Sequence, residues 1–509
     1  MQNITKIYLP GGARALSEPP AEIELAAPAI EVDWKRAFFI LLGLSFFFII
    51  NYMPAWPAAK DPTGAAFALS REGKGAIALF LLAGTWWVFE VVPIGVTSIA
   101  IGVFQALFMI RPAKEAFGSF MDPSVWFIFG SIVIGMVFTK TGVTKRLAYK
   151  MLTIVGEKTS MIYLGCFVVT AALTHIMAHT AVAATMFPLL MAIYSLYGEG
   201  DRQTRFGKGL FIGMAFVAGA GSIITLLGAA RGAVALGFFN DVVGKNVTFF
   251  ELSKYMFPIG WIMVLVCWVL MLIMFKPEKK VIPGLREKAK KLYEEMGAIT
   301  GKEIFVIVAV LGIIIFLSLQ SFIPLLNRYN KSAIILLATL IFFVFKILTI
   351  KDLEDIPWNI ILLFGGAMSI GFCLWETGAA KWMAINWLVM FREANWFVFV
   401  LSIAFFVMIM TNFIMNVAAI AISLPVALVI APYLGVAPEV VLFASLVTAG
   451  MPFLLLVGAA PNAIAYESKQ FTAGQFFAAG IPASIVLMAV VAFAMAIVWP
   501  LMGMPVTLR

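Results

Sequence analysis

The stretch THIMAHTAVAATMFP at Thr174–Pro188 returns in altered form as TNFIMNVAAIAISLP at Thr411–Pro425, and this repetition decides the fold. The two stretches share four of fifteen residues. In each, polar side chains interrupt an apolar run that is otherwise long enough to cross a membrane. Such an interruption predicts a broken helix, whose freed backbone groups need partners within the protein or in a water-filled cavity.

Two further matches occur in the same order, at separations of 236 and 230 residues, against 237 for the first. In one match, Thr141-Gly142 with Lys145 corresponds to Thr377-Gly378 with Lys381. In the other, Gly228-Ala229-Ala230 corresponds to Gly458-Ala459-Ala460. Three ordered matches indicate a duplicated unit. We therefore divide the chain into an N-terminal tail (1–35), a first half (36–275), a linker (276–303) and a second half (304–509).

The composition places the chain in a membrane. Of its 509 residues 62% are hydrophobic and 12% charged, and the mean hydropathy is +1.00. Soluble domains are about 45–50% apolar and about 25% charged, so a soluble enzyme, a disordered regulator and a fibrous protein are excluded. Repeated apolar runs of about 17–25 residues predict an all-α polytopic membrane protein.

The net charge of +9 reflects topology and not nucleic-acid binding. Basic residues crowd the linker and the loop from Arg202 to Lys208, and Lys35 and Arg36 precede the first apolar run. Because cytoplasmic loops accumulate Lys and Arg, we expect these segments, including the N-terminus, on the cytoplasmic side of a plasma (inner) membrane. The three cysteines form no spaced pair, so no disulfide framework or zinc site is indicated.

Duplicated halves with broken helices are typical of secondary transporters, which bind substrate near the membrane midplane. Breaks are expected within Met161–Tyr197, within Leu210–Phe239, and at the corresponding sites of the second half. The starts at Asp122-Pro123-Ser124 and Ile356-Pro357-Trp358, each followed by a glycine-containing apolar stretch, suggest re-entrant hairpins at these two places.

The chain resembles the divalent anion/sodium symporter family, whose members move dicarboxylates, citrate or sulfate. The resemblance covers nearly everything from about residue 36. It is carried by WVFEVVPIGVTS (Trp87–Ser98), FIFGSIVIGMVFTKTG (Phe127–Gly142), LLFGGAMSIGFCLWETG (Leu362–Gly378) and VGAAPNAIAYES (Val457–Ser468). It implies a scaffold domain and a moving transport domain, packed as a homodimer that works by an elevator movement.

The sequence departs from the family at its signature motifs. Members usually carry Ser-Asn-Thr at the break in each repeat, where this chain has Ala178-His179-Thr180 and Met415-Asn416-Val417. Their Thr-Pro-Pro-Asn breaks appear as Ala229-Ala230-Arg231-Gly232 and Ala459-Ala460-Pro461-Asn462. Only four residues match the motifs, so the chain lacks most of the side-chain ligands of the usual sodium sites and of the symmetric dicarboxylate cradle. The matching residues are Thr180, Asn416, Pro461 and Asn462.

The substituted residues offer their own chemistry. His175 and His179, the only histidines, lie one helical turn apart in the first motif. They either fill space as neutral rings or bind the anion or a proton. A metal is not indicated, because no third ligand is nearby. Arg231 lies in an apolar span, where a guanidinium needs a partner. The partner is either structural, a carboxylate on a neighbouring helix or the hairpin carbonyls, or Arg231 is functional, as a fixed charge where other members place sodium or in bidentate contact with a substrate oxyanion.

The sequence thus predicts a secondary active transporter of a small anion of the di- or tricarboxylate class. Sulfate, a sulfonate or another oxyanion is the alternative substrate, and a non-transporting anion sensor of the same fold is the alternative function. Neither an enzyme nor an organic cofactor is expected. We assign substrate binding to His179, Thr180, Arg231, Asn416 and Asn462. Coupling is assigned to His175, His179 and Arg231, with sodium or protons as the coupling ion; the lost sodium ligands favour sodium-independent transport.

Overall fold

The computed structural model describes residues 33–60, 66–89, 91–200, 202–388, 395–413 and 415–508. Most of the predicted N-terminal tail, residues 1–32, lies outside the described residues. The described chain is almost entirely helical. Its strands are the short β1 (Ala59–Lys60) and β2 (Ala66–Phe67), an antiparallel pair in which Ala59 is opposite Phe67.

The first half and the linker contain twelve helices among the described residues. They are α1 (Trp34–Tyr52), α2 (Arg71–Val88), α3 (Ile94–Leu107), α4 (Ala113–Gly118), α5 (Pro123–Thr141), α6 (Val143–Val155), α7 (Thr159–Thr174), α8 (His179–Tyr197), α9 (Arg205–Gly221), α10 (Ala230–Val243), α11 (Phe249–Met274) and, in the linker, α12 (Leu285–Glu295).

The second half adds eleven more. They are α13 (Gly301–Leu319), α14 (Lys331–Val344), α15 (Ile350–Glu354), α16 (Trp358–Glu376), α17 (Ala379–Leu388), α18 (Trp396–Phe413), α19 (Asn416–Ile430), α20 (Pro438–Ala449), α21 (Ala460–Tyr466), α22 (Ala473–Phe493) and α23 (Trp499–Leu501).

Eight helical stretches of the described chain are long and apolar enough to cross a membrane. They are Trp34–Tyr52, Ala113–Thr141, His179–Tyr197, Phe249–Met274, Gly301–Leu319, Trp358–Glu376, Asn416–Leu434 and Ala473–Leu501. The prediction of an all-α polytopic membrane protein is confirmed. In α9, α19 and α20 nearly every residue is buried, so these helices form the centre of the bundle.

The linker marks one end of the bundle, which we call the linker face; the other end is the opposite face. The guanidinium of Arg146, on α6, binds the Glu303 carboxylate at 2.8 Å and donates to the Gly297 carbonyl at 2.9 Å. These bonds fix α6, the linker and the start of α13 together. The linker face therefore holds the end of α5, because α6 follows it after one residue.

The helices α7 and α8 form a re-entrant hairpin. The amide of Thr159, at the start of α7, donates to Lys280 O at 3.0 Å, and the Tyr197 hydroxyl, at the end of α8, donates to Glu278 Oε2 at 3.0 Å. Both ends thus lie at the linker face, and the turn between them, residues 175–178, lies inside the bundle. At this turn the His179 amide donates to Gly228 O at 2.9 Å, next to the break between α9 and α10.

The two hairpins predicted at Asp122 and Ile356 are wrong. Asp122 caps α5, which crosses to Lys140 at the linker face, where Lys140 Nζ lies 2.6 Å from Asp352 Oδ2. The 19-residue α16 likewise runs unbroken. Its glycines serve close packing and not a turn: a Cβ at Gly365 would lie 2.4 Å from the Phe120 ring.

The repeated motifs take equivalent positions. A Cβ at Gly228 would lie 2.5 Å from Thr174 O, and a Cβ at Gly458 would lie 2.9 Å from Thr411 O. In each half, therefore, a glycine just before the later helix (α10 or α21) lets the chain approach the end of the earlier helix (α7 or α18). This near-identity is what the ordered matches in the sequence predict.

Candidate functional site

A cavity of about 830 Å³ opens at the linker face and extends inward to the chain breaks of both halves. One face of α5 lines it from Ile128 to Lys140, at residues 128, 131, 132, 135, 136, 139 and 140. This is helical spacing over twelve residues, or about 18 Å of helix. The inner end of the cavity is the part next to Ile128, and the mouth is the part next to Lys140.

Arg231 lies at the inner end. It is the second residue of α10 and only 2% exposed. Its Nη2 donates to Ser222 Oγ at 2.8 Å, whereas its buried Nη1 has no hydrogen-bond partner in the described part of the chain. No described carboxylate lies within 4.0 Å of it. Because a buried unpaired cation is costly, this guanidinium needs an anionic partner, and Arg231 is among the residues that line the cavity.

Three long helices begin at the same cavity: α8, α10 and α19. Their N-cap residues, Ala178, Ala229 and Met415, line it, and none of these helices has a side-chain cap. The first-turn N–H groups of a helix carry a partial positive charge and bind anions. The substitutions at the motif positions therefore remove side-chain oxygens from these helix starts, where the His179 N–H is bonded to Gly228 O.

His179 and Thr180 supply side chains to the site from the first turn of α8. His179 Nδ1 lies 3.2 Å from Gly228 O, so the tautomer with a proton on Nδ1 donates to this carbonyl. The ring thereby ties the tip of the hairpin to the first break. Thr180 is half-buried and lines the cavity.

Asn416 reaches the cavity from the second half. Its Oδ1 accepts a hydrogen bond from Thr411 Oγ1 at 2.9 Å, and the side chain is 7% exposed. The acceptor of this amide is thus occupied, which leaves Nδ2 to donate to a ligand.

Two predicted site residues lie apart from the cavity. Asn462 is 2% exposed, and its Nδ2 donates to Pro452 O at 2.8 Å and Leu455 O at 3.1 Å. It therefore holds the second break in shape. His175 packs edge-on against Trp261, with ring centroids 5.7 Å apart. The structure brings together only His179, Thr180, Arg231 and Asn416.

The mouth carries charges that the sequence did not assign to the site. Lys140 forms its ion pair with Asp352 there, and Lys145 and Tyr149 of α6 complete the rim. The Lys140 ammonium and the Thr349 hydroxyl lower the pKa of Asp352 to about 2. The match of Lys145 with Lys381 was the only signal for this region, whereas nothing in the sequence pointed to Asp352.

Comparisons with known proteins agree with this architecture. The family described as the sodium:sulfate symporter transmembrane region matches residues 37–505. An uncharacterized transporter of Methanocaldococcus jannaschii is 30% identical over 397 residues, which cover 77% of this chain and 86% of that protein. The sodium-dependent dicarboxylate transporter SdcS of Staphylococcus saprophyticus is 23% identical over 467 residues, 86% of this chain and 89% of its own.

Two solved structures share the fold. Neisseria gonorrhoeae MtrF has a TM-score of 0.51 at 13% identity and covers 91% of this chain and 93% of its own. The Alcanivorax borkumensis YdaH transporter has a TM-score of 0.51 at 13% identity, with 93% and 99% covered. The family match spans nearly the whole described chain. The cavity of this chain reaches the breaks of both halves. The chain therefore belongs to the sodium:sulfate symporter family, the divalent anion/sodium symporters, and is a multi-pass membrane transporter.

Proposed function

We propose that this protein is a secondary active transporter that binds a small anion at the inner end of the cavity and carries it across the plasma membrane. The observation that carries this proposal is Arg231 Nη1, which is buried and unpartnered next to the uncapped starts of α8, α10 and α19. Thr180, His179 and the amide of Asn416 complete the donors around the anion. A carboxylate, sulfate or sulfonate group fits these donors, and the relatives' names support anions of this kind.

Our proposal includes transport without sodium. Sodium binds oxygen ligands, and two side-chain oxygens near the site are already engaged: the Ser222 hydroxyl accepts from Arg231, and the Asn416 oxygen accepts from Thr411. In our proposal the fixed charge of Arg231 replaces a bound cation. Exchange or proton coupling through His179 then drives uptake, although the dicarboxylate relatives are named as sodium-dependent.

The direction in which the cavity faces supports a carrier. With the basic linker in the cytoplasm, the cavity opens to the inside. Its walls, α5 and α6 on one side and the hairpin with both breaks on the other, meet largely through apolar side chains such as Met136 and Ala181. Sliding along such a surface breaks few hydrogen bonds, which suits an elevator movement in a homodimer.

The test is uptake of radiolabelled succinate, citrate, sulfate and alkanesulfonates into proteoliposomes, with and without sodium and a pH gradient. Arg231→Gln should reduce uptake about 30-fold or more, because it removes a charged hydrogen-bonding partner, and Arg231→Lys should restore only part of it. Arg286→Gln, on the exposed surface of α12, is the matched control and should behave as wild type. Uptake that is unchanged in folded Arg231→Gln would refute the proposed site.

A further inference from the structure

Among the described residues that line the cavity, one cationic side chain lies at the inner end, beside the partial positive charge of the helix starts. Arg231 is supplied by the first half, and the equivalent break in the second half presents Ala459 and Ala460 to the cavity. Met415, the N-cap of α19, and its neighbour Asn416 also line the cavity from the second half, and both are neutral. A ligand with two anionic groups close together would thus place only one of them on a cation.

The wall between Arg231 and the mouth has no free donor to offer a second anionic group. Its hydroxyls are those of Ser131, Thr139 and Thr185, and each donates to the carbonyl four residues earlier in its own helix, at 2.9, 3.0 and 2.9 Å. Only their lone pairs remain for the cavity, and lone pairs repel an anion.

The rest of this wall is apolar. On α8 the cavity face continues from Thr180 to Ala184 and Pro188, one helical turn at a time, and α5 contributes Ile132 and Met136 across from it. Ala184 is open to the cavity, so its small side chain leaves room one turn, about 5 Å, from the anion-binding end. This compartment, the part of the cavity between Thr180 and Pro188 of α8 and the facing side of α5, is suited to a hydrocarbon chain of a ligand.

The nearest further cations are at the mouth. Lys140 is already paired with Asp352, and Lys145 lies on the exposed rim. The inner end and Lys140 are separated by about 18 Å along α5. A four-carbon dicarboxylate bound at Arg231 is far too short to reach these lysines.

We propose that the preferred ligand is a singly charged organic anion with an apolar tail, whose carboxylate or sulfonate head binds Arg231 and whose tail lies between α5 and α8. This rests on the proposed anion site and narrows its substrate class. Growth of the tail buries methylene groups against Ile132, Met136 and Ala184.

The experiment measures the affinity of the purified full chain in nanodiscs for ethane-, butane- and hexanesulfonate, and for butane-1,4-disulfonate and sulfate. Sulfonates stay ionised at every pH used, so their own titration does not interfere. Affinity should rise about fourfold for each added methylene group. Butanesulfonate should bind more tightly than its disulfonate. Affinity that does not grow with length, or tighter binding of the disulfonate or sulfate, overturns the inference.

A variant locates the tail. Ala184→Leu fills the compartment and should lower the ratio of hexanesulfonate to ethanesulfonate affinity tenfold or more. Ala478→Leu, exposed on α22 and outside the cavity, should keep the wild-type ratio. An unchanged ratio in Ala184→Leu contradicts the placement of the tail.

The outcomes separate the two proposals. If dianions bind more tightly and Arg231→Gln abolishes their binding, the anion site stands and the single-headed ligand is wrong. If none of these anions binds or is taken up, both proposals fail.

Discussion

The guanidinium of Arg231 occupies the space that a side chain at Gly450 would fill. A Cβ built on Gly450 would lie 2.7 Å from Arg231 Nη2 and 3.1 Å from its Cζ. Gly450 ends α20 in the second half, whereas Arg231 begins α10 in the first. One half of the chain therefore supplies the cation, and the other half supplies the space for it.

Gly450→Ala should displace Arg231 from this position. The added Cβ would also lie 2.5 Å from Ile223 Cγ2, so both Ile223 and the guanidinium must shift. Such overpacking typically costs about 1–3 kcal/mol, and the displaced guanidinium should lower anion affinity about fivefold or more. Binding to nanodisc-embedded protein measures this effect. Gly312→Ala, on α13 with no atom within 4 Å of the added Cβ, is the control and should bind as wild type. Wild-type affinity in Gly450→Ala would show that the guanidinium does not need this space to bind the anion.

The two histidines should differ in their effect on coupling. His179 borders the cavity and His175 does not, so His179→Gln should lower anion affinity more than His175→Gln. If a proton binds with the anion, affinity for hexanesulfonate should rise as the pH falls from roughly 7 to 5.5 in wild type and stay flat in His179→Gln. Measurements of hexanesulfonate affinity at several pH values, in wild type and both variants, test whether His179 binds the coupled proton. Affinity that is equally flat in wild type and both variants removes His179 from coupling.

The ion pair at the mouth should set the rate at which anions enter. Asp352→Asn leaves Lys140 unpaired and makes the mouth more positive, so the initial uptake rate at subsaturating anion should rise. Lys140→Gln should lower that rate. Both changes should shrink at high ionic strength because salt screens exposed charges. Rates that respond identically to the two substitutions would contradict this steering.

The same pair gives an acid-sensitive contribution to stability. Since the folded pKa of Asp352 is lowered to about 2 from an ordinary 3.8, its stabilisation is complete above the ordinary value and disappears as the pH falls through about 2. The difference in melting temperature between wild type and Asp352→Asn should therefore be constant from pH 8 to about 5 and shrink below about pH 4. A difference that shrinks already near neutral pH must come from another group.

Cysteine labelling tests the topology. Cysteines at Lys158, Arg202 and Lys288 should all react from one side of the membrane, since α7 and α8 form a hairpin that starts and ends at the linker face. A cysteine at Arg328, beyond the end of α13, should react from the other side. The native cysteines are buried and should contribute little background. Labelling of Lys158 and Arg202 positions from different sides would mean that α7 and α8 together cross the membrane, contrary to the hairpin.

The sequence by itself determined the class of fold and the duplication, and it singled out Arg231. Membrane insertion depends on apolar length and the sidedness of charge, both of which are local properties of the chain. The breaks at Thr174–Pro188 and Thr411–Pro425 were likewise visible, because polar residues inside an apolar run are costly in a membrane and indicate an interruption of the helix. Arg231 stood out for the same reason.

Only the tertiary structure decided which residues meet. The glycines of α5 and α16 resemble those of a hairpin, but packing against Phe120 and other neighbours keeps these helices straight. Asn462 matches a family motif residue, yet its hydrogen bonds go to backbone carbonyls of its own break. Gly450 and the uncapped starts of α8, α10 and α19 carry no chemical signal in the sequence. Their importance arises because residues hundreds of positions apart come together around one cavity, and side-chain direction and burial are set by that packing alone.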